Sequence, residues 1–279
     1  MATRWGKRKS VQVIDFFFVL VQNNGEKKRS AKPISMSYEK YECEHKLVTS
    51  DTDFKQELKP SAILNFFQET AGINSSLLGV GYPDLRPRGL FWVLSKIYVE
   101  LTEPVYYGDT VQIATWPHEP NKAIFERSFL VCKNNEPRVR ALSRWCLLDS
   151  VTGRIAPASA INQKTERFIE ERAVDFCDWR IPFVEDKIEP SFTLKIAHSE
   201  YDLNYHVNNI KYADYVFNCF SIEELTARRV KSFQINYVKQ THEKDVLNFY
   251  REQISKDVFI VEGVKNGEES VISARVCFA

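Results

Sequence analysis

Asp202-Leu203-Asn204-Tyr205-His206-Val207-Asn208-Asn209 runs straight into Ile210, Ala213, Val216, Phe217 and Phe220, apolar side chains recurring every three to four residues. That spacing predicts a helix with one buried face, and Asn208 or Asn209 is a natural N-cap for it. The first turn of a helix exposes backbone N–H groups with no internal partner and carries roughly half a positive charge. Such a turn suits a carbonyl oxygen that becomes negative during a reaction. In an extended segment alternate residues point the same way, so Asp202, Asn204 and His206 are expected on one face. Singly, an Asp or Asn before a helix is usually a cap, and a lone His a hydrogen-bonded structural residue. Together, an acid, an amide and an imidazole ahead of a helix point to a site that handles protons.

The same unit occurs earlier in the chain. Residues 53–67 lie over 202–216, matching Asp53 with Asp202, Leu58 with Val207, Asn65 with Asp214 and Phe66 with Tyr215. Further along, Tyr107-Gly108-Asp109-Thr110-Val111 matches Glu243-Lys244-Asp245-Val246-Leu247, and Ser143-Arg144-Trp145-Cys146 matches Ala274-Arg275-Val276-Cys277. The first copy has Lys55 and Glu57 where the second has Asn204 and His206, so the polar equipment is present once. Each copy reads as an extended segment, one long helix and several strands. In the first, Pro60 opens the helix, Ile63, Phe66, Phe67, Ile73, Leu77 and Leu78 form its apolar face, and Gly79 is the C-cap. Strands are predicted at 92–101, 110–116, 124–132 and 138–149, and again at 231–240, 246–254, 257–265 and 270–278. Turns fall at Asn134-Asn135 and Asn266-Gly267. A helix against an antiparallel sheet, used twice, is an α+β architecture.

The D-x-N-x-H-V-N-N-x-x-Y run from Asp202 to Tyr212 is joined by Trp92-Val93-Leu94 before Val99-Glu100, Gly108-Asp109, Thr115-Trp116-Pro117, and Ser143-Arg144-Trp145 before Leu148-Asp149. In this combination and order the chain resembles the acyl-acyl carrier protein thioesterases of plants and bacteria, over roughly residues 40–279. The resemblance implies a tandem (double) hotdog, each half a curved antiparallel sheet wrapped around a long central helix. It also implies hydrolysis of fatty acyl-acyl carrier protein to free fatty acid and carrier, the step that terminates fatty acid synthesis. Asp202 would then activate water or attack directly, with Asn204 and His206 positioning the thioester or the water. On the strand after the catalytic helix the family places Glu, followed in plants by Cys. Those two catalytic positions fall on Gln240 and Thr241. Glutamine keeps the size of Glu but cannot accept a proton. Threonine is not a thiol, which excludes a papain-like Cys scheme there. The first copy is expected to supply the acyl pocket, with Phe66, Phe67 and Trp92 binding substrate. Two rivals are an acyl-CoA thioesterase of the hotdog superfamily and a non-catalytic acyl-binding sensor, the latter encouraged by Gln240.

With 279 residues, 44% of them hydrophobic, the chain can build two cored domains. A net charge of +1 predicts no general affinity for nucleic acid. Acyl carrier protein is acidic, so as a partner it would seek a basic patch, for which Arg228, Arg229 and Lys231 are candidates. The six cysteines show no C-x-x-C pairing, and the histidines no metal-ligand spacing. Neither a metal nor an organic cofactor is expected, and reduced thiols point to the cytoplasm. Residues 1–35 hold eight Lys or Arg against Asp15 and Glu26, so the rest is net acidic. Val11–Val21 is too short and polar for a membrane span. Residues 1–35 are expected to be a disordered or non-native extension, with either Met1 or Met36 as the start. Residues 36–165 form the first domain, 166–190 a linker with a helix at 163–173, and 191–279 the catalytic domain. One chain would be a pseudo-dimer, as a monomer or within a homodimer.

Overall fold

The computed structural model describes residues 39–163, 168–203 and 205–279. The expectations for residues 1–35, Met36 and Asn204 lie outside the described residues. The first half runs β1 (Tyr41–Lys46), α1 (Pro60–Leu77), α2 (Tyr82–Leu85), β2 (Leu90–Leu101), β3 (Thr110–Pro117), β4 (Phe125–Lys133), β5 (Glu136–Asp149) and β6 (Ile155–Ala156). The second runs β7 (Phe192–Lys195), α3 (Lys211–Phe217), α4 (Ile222–Ala227), β8 (Val230–Tyr237), β9 (Val246–Ser255), β10 (Val258–Lys265) and β11 (Glu269–Phe278).

Among the described residues the strands form one antiparallel sheet in the order β1-β3-β4-β5-β2-β8-β11-β10-β9-β7, with β6 on β5. The order is the same in both halves, read outward from the centre. They meet where β2 pairs with β8, from Lys96 opposite Asn236 to Glu100 opposite Ser232. Their helices pack over one shared core in which Ile63, Phe67, Val216 and Phe233 are buried. This is the tandem hotdog, and the halves form one compact unit.

Local sequence sets most of the element limits. Pro60 is the first residue of α1, where its missing N–H costs nothing. Gly79, just past the end, takes φ +69° and its N–H bonds to Ser76 O. Asn134, Asn135, Asn266 and Gly267 all adopt positive φ, as the two hairpin turns require.

Four expectations need correction. The second copy has no long helix: α3 has seven residues and stops, because Ser221 starts α4 by accepting the Glu224 N–H while Glu224 accepts the Ser221 N–H. The strand expected over 231–240 ends at Tyr237, where Val238 N and Lys239 N both turn to the one carbonyl of Val271. Ile73 is 44% exposed and leaves the apolar face predicted for α1. Residues 168–173 are not helical. Their backbone is held by side chains of the first sheet instead: Ala173 N donates to Ser128 Oγ at 3.1 Å, and Trp116 Nε1 donates to Glu171 O at 2.8 Å. The segment then crosses both halves, Trp179 O accepting from Lys96 and Asn236 and Val184 N donating to Glu262.

Candidate active site

The repeat seen in the sequence is a repeat of hydrogen bonds. In the first half an antiparallel bridge joins Thr52 and Leu58, Asp53 N donates to Glu57 O at 2.9 Å, and Gln56 N donates to Asp53 O at 3.0 Å. In the second, Tyr201 is bridged to Val207, Asp202 N donates to His206 O at 2.9 Å, and Tyr205 N donates to Asp202 O at 3.1 Å. Gln56 and Tyr205 both take left-handed φ, +63° and +59°, and reverse the chain. The segment is therefore a closed loop and not the extended segment expected. Asp202 and His206 are brought together across its neck.

The helix start was expected to hold an oxyanion, and two of its amides have partners. Ile210 N donates to Asn208 Oδ1 at 3.1 Å and Lys211 N donates to Asn208 O at 3.0 Å. Asn208 does cap the chain, one turn ahead of α3, whose N-cap position is Ile210.

A cavity of about 650 Å³ lies where this loop meets the first half. Asp202, His206, Gln240 and Thr241 line it, and so does Trp92, whose indole N–H donates to Val80 O at 2.8 Å. Phe66 and Phe67 do not line it. Phe66 packs on the His45 ring and Phe67 stacks on Phe129 with ring centroids 4.4 Å apart, because their face of α1 points into the core. The opposite face of α1, with Glu69, Gly72, Ile73 and Ser76, is the one that faces the cavity.

The wall also contains Tyr212, Arg127 and His118, to which no chemical role was assigned from the sequence. Tyr212 and Thr241 are buried and share a hydrogen bond of 2.6 Å between their hydroxyls; burial pushes the Tyr212 phenol up to about 12. Arg127 is buried with only neutral partners among the described residues, donating to Asn74 Oδ1 at 2.7 Å and Thr115 Oγ1 at 3.2 Å, and desolvation pulls its guanidinium down to about 9. His118 Nδ1 lies 3.1 Å from Ile169 O and its Nε2 2.7 Å from Ser128 Oγ; burial lowers its pKa. A carbonyl only accepts, so the proton sits on Nδ1 and Ser128 donates to Nε2. No linear signal marks Arg127 or His118. Tyr212 closes the motif that begins at Asp202.

The proposed basic patch sits elsewhere. Arg229 and Lys231 flank Val230, the first residue of β8, and Arg228 precedes them, whereas Tyr237 at its other end lines the cavity, roughly 20 Å away along an extended strand. Arg228 covers the Phe259 and Phe278 rings, and Arg229 pairs with Glu103 at 3.2 Å. All six cysteines are free thiols. Among the described residues no group of three metal-ligating side chains gathers, and no helix is long and apolar enough to cross a membrane.

The two-half site agrees with family profiles: the acyl-ACP thioesterase N-terminal domain matches residues 38–160 and the acyl-ACP thioesterase C-terminal domain residues 185–275. The chain belongs to the acyl-ACP thioesterase family. Among curated thioesterases of this family, it is 24% identical to a chloroplastic acyl-[acyl-carrier-protein] hydrolase of Cuphea viscosissima over 75% of this chain and 52% of that protein. It is 27% identical to the chloroplastic palmitoyl-acyl carrier protein thioesterase of Arabidopsis thaliana over 66% of this chain and 48% of that protein. The chain thus spans about half the length of the curated relatives it matches. A solved acyl-ACP thioesterase from Bacteroides thetaiotaomicron superposes with a TM-score of 0.73 at 26% identity, covering 88% of this chain and all of that one. The 12:0-ACP thioesterase of Umbellularia californica gives 0.76 at 20% identity over 88% of this chain and 99% of that one, a likeness of fold.

Proposed function

We propose that this thioesterase hydrolyses fatty acyl-acyl carrier protein to free fatty acid and carrier, and so ends fatty acid synthesis. The observation that carries the reading is the shared cavity: Asp202 and His206 of one half open into a space walled by Trp92 and the outer face of α1 from the other. An acyl chain lies against the first-half wall while its thioester carbonyl reaches the loop.

Asp202 takes a proton from water, the water oxygen attacks the carbonyl carbon, and collapse of the tetrahedral intermediate expels the carrier thiolate, which recovers the proton. His206 and Asn204 orient the thioester and donate to its developing oxyanion, a task the occupied amides of Ile210 and Lys211 do not share. Gln240, exposed on the wall, can donate or accept a hydrogen bond but not a proton. Thr241 is held by Tyr212. Direct attack by Asp202, through an anhydride, fits the same residues. The free thiols suit a reducing compartment, and a cytoplasmic location is part of the proposal, tested by fractionation.

The deciding experiment measures fatty acid released from dodecanoyl- and palmitoyl-acyl carrier protein and from the matching acyl-CoA thioesters, with Asp202→Asn as the blank. Release from the carrier-bound substrates that vanishes in the variant is expected. Release from CoA alone would shift the substrate to acyl-CoA. Tight binding without release would make the protein an acyl sensor, the outcome that Gln240 favours.

A further inference from the structure

We propose that Glu69, on α1 of the first half, is a second carboxylate of the hydrolytic site, accepting one hydrogen of the attacking water while Asp202 takes the other as a proton. The inference rests on the hydrolase reading above. It begins with the acidic side chains of the cavity wall, which among the described residues are Glu69, Glu126 and Asp202. Glu126 is committed elsewhere, bound by Arg144 Nε at 2.8 Å and Arg172 Nη1 at 2.7 Å. Asp202 belongs to the loop, and its counterpart shows what an aspartate does there. Asp53 Oδ1 accepts the backbone N–H of Lys55 at 2.8 Å and of Glu57 at 3.1 Å, in a copy without the catalytic side chains. An aspartate at this position is therefore partly engaged in holding its own backbone.

Glu69 is exposed, and no hydrogen bond or ion pair engages it among the described residues. Its surroundings leave room for a ligand. Gly72, one turn on along the same face, also lines the cavity, and a Cβ built there would meet nothing within 4 Å. Gln240, on the facing wall, cannot take a proton. In the reaction the water O–H bond to Asp202 breaks as the C–O bond forms. The carbonyl pair moves to oxygen and returns as the C–S bond breaks, and the thiolate leaves with the proton. Glu69 stays a carboxylate throughout and fixes the water's lone pair on the carbonyl carbon, which is a positioning of the reacting atom itself.

The test is Glu69→Gln in the full chain, assayed with dodecanoyl-acyl carrier protein. The expected result is a kcat lower by about 10²-fold with KM within about twofold, an unchanged thermal midpoint, and recovery of at least about tenfold when Gln240→Glu is added. A kcat within about twofold of the parent overturns the proposal. So does a loss that Gln240→Glu does not recover, since a merely structural role would not be mended from the facing wall. If the unaltered chain releases no fatty acid from any carrier, the hydrolase reading falls first and this one with it. Turnover in the parent that survives Glu69→Gln removes this proposal alone.

Discussion

The loop of residues 52–58 and the loop of residues 201–207 have the same internal hydrogen bonds but differ in what they meet. The first is zipped to the chain leading into β3. Leu58 N donates to Val105 O at 2.8 Å, Tyr107 N to Gln56 O at 2.9 Å, and Glu57 bridges Tyr106. In the second, no backbone pairing joins 206–207 to 240–242 among the described residues. The space beside the first loop is about 50 Å³, and beside the second about 650 Å³. A buried pair of side chains also differs between them. Ile63 and Val105 stand, buried and apolar, where the second half has Tyr212 and Thr241 joined through their hydroxyls. The comparison teaches that the site arises from a zipper left open in one copy of a duplicated fold, with polar side chains holding the gap.

The largest expected effect separates the two aspartates. Asp202→Asn should lower kcat by about 10²- to 10⁴-fold. Asp53→Ala should leave turnover per folded molecule unchanged and cost stability of about 0.5–2 kcal/mol, as the loss of a backbone cap does. Steady-state kinetics and urea denaturation on both variants check the contrast. Equal kinetic losses would mean that Asp202 also serves only its loop.

The gap-holding pair comes next. Tyr212→Phe leaves the buried Thr241 hydroxyl without its partner and should cost about 1–3 kcal/mol of unfolding free energy. At the equivalent first-half position, Ile63→Val should cost about 0.5–1.5 kcal/mol, as removal of one buried methylene does. A smaller cost at Tyr212 than at Ile63 would show that water satisfies Thr241.

The smallest effect concerns how the connecting segment is fastened. On the first half it is held through neutral His118, and on the second through the Glu262 carboxylate. Burial, with Arg172 beside the ring, lowers the His118 pKa, so the folded state binds this proton less readily than the unfolded chain. Its contribution to stability is therefore present above the unfolded value of about 6.5 and is lost as pH falls through the folded value. Denaturation midpoints across that range should slope less in His118→Gln than in the parent.

The fold was legible because it rests on short-range rules. Pro60 and Gly79 bracket α1, the asparagine turns mark the hairpins, and the duplicated Asp-to-Leu and Asp-to-Val segments announce two copies of one unit. The misses share a cause. The 3.6-residue period from Ile210 to Phe220 is real, but the helix fills it only to Phe217, and the Ser221–Glu224 capping box opens a separate helix beyond it. Phe66 and Phe67 are aromatic enough for an acyl pocket, yet which face of α1 meets the core is settled only when both sheets close around it.

The sequence by itself determined the repeat, the antiparallel strands with their turns, the family likeness and the grouping of Asp202 with His206, because these depend on residue order and local backbone preference. Only the tertiary structure decided that the Asp202 loop is closed and that Asn208 binds the amides of Ile210 and Lys211, that Arg127, His118 and Glu69 share its cavity, and that one zipper is open and the other shut. Those features join residues from different elements, and many of them from different halves. Their meeting is fixed by the β2–β8 pairing and the packing of α1 against α3, for which the linear pattern carries no mark.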